Sequence, residues 1–248
     1  MKILSRIVRF FAILAFLMLC YQALGWLAGP RLFPKLSLIA SRFWELLLNG
    51  KLILHAASSS RRVGLGLLLS LITAIPLAGL LARYATLDTL ASPLLYLAYP
   101  IPKVVFLPVL MLLLGLGDAS KVAMIFLIVV FQSLVSLRDV FKSLDRQAFQ
   151  AVRAFGGTKR DLLRHVIIPA SLPALFSSLR LSGGTAFAVL FIAESFASED
   201  GMGFFIMDAW SRVAYADLHA GVIALALLGL AYFALLDLLE RVLCPWSI

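Results

Sequence analysis

VGLGLLLSLITAIPLAGLLA, residues 63–82, is the stretch on which the fold turns: twenty residues without a charged side chain. About 20 apolar residues in a helix cross the hydrocarbon core of a bilayer. Pro76 lies inside the run, which a membrane helix tolerates because neighbouring groups satisfy the freed backbone. The same signal recurs outward from there. Phe10 to Pro30 is uncharged. Ser92 to Leu116 is apolar and proline-rich, with Lys103 inside it. Val122 to Leu137 is short and flanked by Lys121 and Arg138. Pro173 to Ser198 contains Arg180 and Glu194, and Leu218 to Leu236 is clean. The expected fold class is all-α, a polytopic membrane protein with about six transmembrane helices.

Composition agrees. Of 248 residues, 62% are hydrophobic and 14% charged, against roughly 25% charged in a soluble domain. Mean hydropathy is +1.00. A soluble core of this size cannot hide that much apolar surface, so a water-soluble enzyme is excluded. The net charge of +9 comes from 22 Lys and Arg against 13 Asp and Glu. In a membrane protein such an excess marks cytoplasmic loops, so no nucleic-acid partner is expected. Cys20 and Cys244 form neither a metal pattern nor a convincing disulfide pair. His55, His165 and His219 make no HExxH, and no phosphate-binding G-x-x-x-x-G-K-[ST] occurs. No metal, cofactor or bound ATP is expected on this chain.

Charge also orients the chain. Lys2, Arg6 and Arg9 precede the first apolar run, which is long for a signal peptide. It reads as a retained helix with the N-terminus inside. Ser37 to Leu48 reads as an amphipathic helix, with Phe43 and Trp44 suited to a membrane interface. Arg138 to His165 is the longest polar segment and the most basic. Its apolar positions, Ala148, Val152 and Phe155, then Leu162, Leu163, Val166 and Ile167, keep a helical period. Gly156-Gly157 divides it. A structured cytoplasmic loop of two short helices is therefore expected. One observation points the other way. Six spans put residues 31–62 outside, yet they carry Arg31, Lys35, Arg42, Lys51, Arg61 and Arg62.

Within the basic loop, Gln150-Ala151-Val152-x3-Gly156-x9-Val166-Ile167-Ile168-Pro169 resembles the E-A-A-x3-G-x9-I-x-L-P loop of permeases from binding-protein-dependent ABC importers. Glutamine stands where glutamate is usual, and valine replaces the second alanine. Gly156, Pro169 and their spacing hold. Pro100-Ile101-Pro102-Lys103 with Leu107-Pro108, then Gly115-Leu116-Gly117 and Ser120-Lys121, is similar to the nitrate/sulfonate/taurine-type branch. So are Ala193-Glu194 and Gly201-Met202-Gly203-Phe204. The resemblance covers about residues 60–240.

This resemblance implies a type I ABC importer permease fold. Residues 1–60 are then an N-terminal transmembrane helix with an amphipathic connection. Residues 61–248 are the permease core, with a cytoplasmic coupling loop at 138–169. It further implies a homodimer in the bacterial inner membrane, termini cytoplasmic, that passes a small solute between its two copies. ATP hydrolysis falls to a separate ATP-binding subunit, and a soluble or lipid-anchored binding protein delivers the solute. The chain itself is no enzyme. The alternative, a self-contained secondary transporter or channel, needs several buried acids or repeated broken helices. The sequence offers Glu194 and no repeat.

Two groups of candidate residues follow. In the coupling loop, Ala151, Val152 and Phe155 fill a partner's groove and Arg153 orients it. Gly156 permits the turn, and Pro169 ends the second short helix near the membrane. Gln150 keeps hydrogen bonding but loses the ion pair that glutamate offers. In the spans, Lys103, Arg180 and Glu194 are pathway or gate candidates because charge in a bilayer is costly. Snorkelling serves equally for Lys103 and Arg180, as does a wet helix end for Glu194. Arg180 and Glu194, about 21 Å apart along one helix, cannot pair with each other. Gly201, Gly203 and Phe204 resemble an external gate, with an interfacial aromatic loop as the plainer reading.

Overall fold

The computed structural model describes residues 2–98, 100–196 and 198–247. It is helical from end to end. Helix α1 is Lys2–Ala28, α2 Leu36–Leu48, α3 Lys51–Arg83 and α4 Ala85–Ala98. A 3-10 turn, Lys103–Phe106, leads into α5, Leu107–Leu114. Then come α6 Asp118–Ser143, α7 Arg146–Ala154, α8 Lys159–Leu162, α9 Ile168–Ser195, α10 Met202–Ser211 and α11 Tyr215–Leu243.

Among the described residues, Lys51–Arg83, Asp118–Ser143, Lys159–Ser195 and Tyr215–Leu243 have the length and apolarity to cross a membrane. The pair Ala85–Ala98 and Lys103–Leu114, bent by 82° at its break, is a broken span or a re-entrant loop, and brings the count to five if it is one span. The proline-rich run expected as a span from Ser92 to Leu116 falls on this bent pair. Pro100 and Pro102 supply no N–H and hold the preceding residues away from helical geometry. The first apolar run lies in α1, a 27-residue helix; the side chains of Lys2, Arg6 and Arg9 are outside the described residues. The expected amphipathic helix is α2, which buries Ile39 and Leu46.

The core is a three-helix sandwich of α3, α6 and α9. Small residues set its spacing. Gly66, Ser70, Ala74 and Ala78 recur every fourth residue on one face of α3 and are all buried. Such a stripe lets two helix backbones approach closely in a membrane, where lipid supplies no hydrophobic drive. On α6 the facing ridge is Ile125, Val129, Ser133 and Leu137, also buried. A Cβ at Gly66 would lie 2.5 Å from Ile125 Cγ2. Helix α9 presents Ser182, Ala186, Leu190 and Ala193 to the same core. Helix α11 closes on it at Gly183, where an added Cβ would strike the Tyr232 ring, and Tyr232 donates its hydroxyl to the Leu179 carbonyl at 3.0 Å.

Candidate functional site

The candidate residues gather mainly at two ends of the bundle. At one end α7 and α8 stand off the core. The loop expected over 138–169 is narrower there. Arg138 is buried in the last turns of α6, bonded to Asp139 at 3.0 Å and Ser92 at 3.2 Å. The freestanding part is Leu144 to Asp161, since Leu162 is buried. Asp145 caps α7 by accepting from the Gln147 N–H at 2.8 Å. The helix ends in a Schellman turn: Gly156 donates to the Arg153 carbonyl and Gly157 to Val152, both at 2.9 Å. Gly156 has φ +75°, a conformation that costs other residues free energy. Gly157 is fixed for a different reason, since a Cβ there would meet Val152 Cγ1 at 2.5 Å. Thr158 and Asp161 then form a capping box that opens α8.

The coupling-loop candidates share this element. Gln150, Ala151 and Arg153 are exposed and Val152 is half-buried. Phe155 is 92% exposed, an unusual position for a ring that gains about 1.5–3 kcal/mol from burial. Pro169 is the exception. The second short helix does not stop there. Leu163–Ile167 forms a π-turn that runs without a break into α9. Ile168 donates to Leu163, five residues back. This wide turn absorbs the missing proline N–H that an α-helix would register as a break. The Pro169 carbonyl instead accepts from the Trp246 indole at 3.1 Å, which ties the C-terminal segment to the root of α9.

At the other end a buried charge cluster joins four elements. Arg62 of α3, with 3% of its side chain exposed, is the hub. It donates to Glu194 of α9 at 2.7 Å and to Asp118 of α6 at 2.7 Å. It also pairs with the Asp200 carboxylate and donates to the Asp200 carbonyl at 3.0 Å. Glu194 is fully buried. Its oxygens accept further from Ser59 at 2.9 Å and from the Gly203 N–H at 2.9 Å. Ser59 in turn accepts from the Met202 N–H at 2.8 Å. Gly201, at φ +105°, and Gly203 wrap the carboxylate. A Cβ on Gly201 would lie 2.2 Å from Glu194 Cδ, and one on Gly203 2.7 Å from Glu194 Cβ. Asp200, outside the spans, is pushed up by burial, but hydrogen bonds from Ser58 and Arg62 outweigh this and hold it below the usual carboxylate range.

So the structure brings Glu194, Gly201 and Gly203 together as one site, with Phe204 beside it against the His55 ring at 5.9 Å. The sequence reading missed Arg62, Ser59, Asp118 and Asp200. A signal for two of them was present. Arg62 and Ser59 continue, one and two turns earlier, the buried face that carries Gly66, Ser70, Ala74 and Ala78.

Comparison with known proteins now decides the family. Residues 66–246 match the model of the binding-protein-dependent transport system inner membrane component. A putative ABC transporter permease of Methanocaldococcus jannaschii is 32% identical, over 81% of this chain and 76% of its own length. The taurine transport system permease protein TauC of Escherichia coli is 28% identical over 77% of this chain and 70% of its own. The putative aliphatic sulfonates transport permease protein SsuC of Bacillus subtilis is 30% identical over 91% and 83%. Among solved structures, an inward-facing MetNI methionine ABC transporter chain superposes with TM-score 0.63 at 15% identity. It covers 76% of this chain and 94% of that one, a likeness of fold.

The chain belongs to this ABC permease family. Its two remaining span candidates lie apart. Lys103 of the permease sits at the break before α5, donating to the Ala98 carbonyl at 2.8 Å, with its ammonium 5.0 Å from the Phe131 ring centre. Arg180 bonds Asp237 at 2.7 Å and pairs with Glu240. It ties α9 to α11 on the side of the permease that carries the loop.

Proposed function

We propose that this permease forms, as a homodimer, the membrane channel of an ATP-driven importer for a small solute handed over by a binding protein. Residues 144–161 face the cytoplasm and dock an ATP-binding subunit. The observation that carries this reading is the state of α7. Among its described residues none is buried, yet both of its ends are fixed by specific caps, and Phe155 projects from its C-terminus. A capped, rigid helix with an uncovered ring is built to enter a groove in another protein. Helix α8, joined to α7 by the Schellman turn, is continuous through the π-turn with α9, so a push on α7 reaches the core through that turn. Docking moves the helix, and the ATP-binding subunit does the hydrolysis.

The charge cluster lies at the opposite, outer end, where it anchors α10 and the Gly201–Phe204 segment against the core. That segment forms the external gate, with Phe204 at its surface. Related permeases are named for taurine and aliphatic sulfonates, and a solute of that class fits this reading. The test is co-purification from mild detergent with a co-expressed ATP-binding subunit, comparing wild type with Gly156→Asp. About one ATP-binding subunit per wild-type chain, and its loss in the variant, is expected. Wild type that purifies alone and moves solute into liposomes without ATP overturns the proposal in favour of a gradient-driven carrier.

A further inference from the structure

A groove of about 340 Å³ opens between α4, α6 and α9, bounded by Leu95, Tyr96, Gln132, Ser136, Arg138 and Leu181. Gln132 lies 14 residues from the start of α6 and 11 from its end, about 21 Å and 16 Å along the axis. This is mid-bilayer depth. Gln132 Nε2 donates to Thr185 Oγ1 at 3.4 Å, and that hydroxyl donates onward to the Leu181 carbonyl at 3.2 Å. In this arrangement the Thr185 proton points to Leu181, and the amide faces Thr185 with its nitrogen and away from it with its oxygen. Gln132 Oε1 is buried and has no hydrogen-bond partner.

An unmet acceptor in a hydrocarbon setting costs about 1–3 kcal/mol, and the groove lacks nothing in donors nearby. Arg138, on the same helix six residues on, spends its guanidinium on Asp139 and Ser92 instead. A polar side chain at this depth bonds across helices or lines a water-filled cavity, and the Oε1 of Gln132 makes no such bond. We infer that this groove contacts the translocated solute, and that Gln132 Oε1 is the acceptor for a solute carrying N–H or O–H donors. Ser136, one turn further on the same face of α6, lines the groove beside it. The inference rests on the permease reading and adds to it the site of solute contact and one property of the solute, a donor-bearing group beside any sulfonate it carries.

The test uses the complex with its ATP-binding subunit in lipid nanodiscs, with Cys20→Ser and Cys244→Ala as background. Ser136→Cys is exposed to two small thiol reagents, 2-aminoethyl and 2-sulfonatoethyl methanethiosulfonate. The first presents ammonium N–H donors and the second presents acceptors alone. Leu227→Cys, mid-way along α11 and facing outward, is the lipid control. Expected is labelling at Ser136→Cys by both reagents and none at Leu227→Cys. Adding Gln132→Met, which keeps length and loses the acceptor, slows the aminoethyl reagent about threefold to tenfold, the worth of one net hydrogen bond. The sulfonatoethyl rate stays within about twofold on the same scale. Three results overturn the inference: no labelling at Ser136→Cys, equal slowing of both reagents, or a Ser136→Cys disulfide between copies, which makes the groove a packing surface. Retained ATP-binding subunit in the same preparation keeps such a failure separate from failure of the permease reading, which its loss from wild type reports.

Discussion

Arg62 shows how much one buried side chain carries. Its guanidinium meets carboxylates from three separate segments, Asp118, Glu194 and Asp200. Removing one member of a buried pair leaves the other charge uncompensated, at about 3–5 kcal/mol. Arg62→Met is therefore expected to lower the thermal stability of the detergent-purified protein by an amount of that order. Glu194→Gln added to Arg62→Met should recover part of the loss, because the orphaned charge is gone while Ser59 and Gly203 keep hydrogen-bond partners. A double-variant cycle read by thermal loss of monodisperse protein checks this. Two independent, additive losses would show that the pair is not coupled. The sequence displayed Glu194, an acid in an apolar run, but not Arg62, which stood in a basic stretch and looked like a topology signal. A buried cation and a solvated one have the same letter. The distinction came from the helical period, which put Arg62 on the face that carries Gly66.

Elements were legible in their apolar middles and not at their ends. Residues 63–82 announced a span, yet α3 begins at Lys51. The reading stopped at Arg61-Arg62 because charge usually ends a span, and here Asp118, Glu194 and Asp200 absorb that charge inside the helix. The Ser92–Leu116 run differs in the opposite sense: apolarity is continuous while prolines break the axis. Pro169 misled because a π-turn accommodates it, and nothing in local composition signals a π-turn. The loop glycines, by contrast, were readable, since a Schellman turn demands one. What composition alone does not disclose is which glycine is spatially required. Gly66 and Gly64 stand two apart on α3, but a Cβ at Gly66 would collide with Ile125 while one at Gly64 meets nothing within 4 Å. Gly66→Ala is expected to destabilise the α3–α6 pair by about 1–3 kcal/mol, the usual cost of overpacking. Gly64→Ala should be neutral or slightly stabilising, by up to about 1 kcal/mol from helix propensity. Thermal stability of the two variants side by side decides it; equal losses would mean that the close approach at Gly66 does not exist.

For the whole molecule the open issue is orientation, where the cations of residues 31–62 stood against the basic loop. In the folded chain half of those six are engaged: Arg42 with Asp217 at 2.7 Å, Arg61 with Asp118, and Arg62 with the cluster. Arg42 is accordingly held more basic than usual, chiefly by its hydrogen bond to Asp217. Ion pairing lowers the cost of holding these residues at their end of the bundle once the chain has folded. It does not choose the end, because orientation is set during insertion, when Lys and Arg near the spans count and acids contribute little. The whole chain settles the count. With α7 and α8 inside, twelve cations lie at the inner end, among them Lys2, Arg6, Arg9, Arg83 and Arg241 as well as the loop. Eight lie at the outer end, Lys121 and Arg212 included. The excess is real but small, and the loop supplies it. With the native cysteines replaced, Thr158→Cys should react with an impermeant thiol reagent only after cells are opened, and Lys35→Cys in intact cells. The converse pattern would invert the molecule and remove α7 from reach of any cytoplasmic ATP-binding subunit. Replacing Lys159, Arg160 and Arg164 together by glutamine brings the two ends to nine against eight, and a mixed labelling pattern at both positions is then expected. A pattern unchanged from the parent would show that the first helix alone, led by Lys2, Arg6 and Arg9, fixes the orientation of every span that follows.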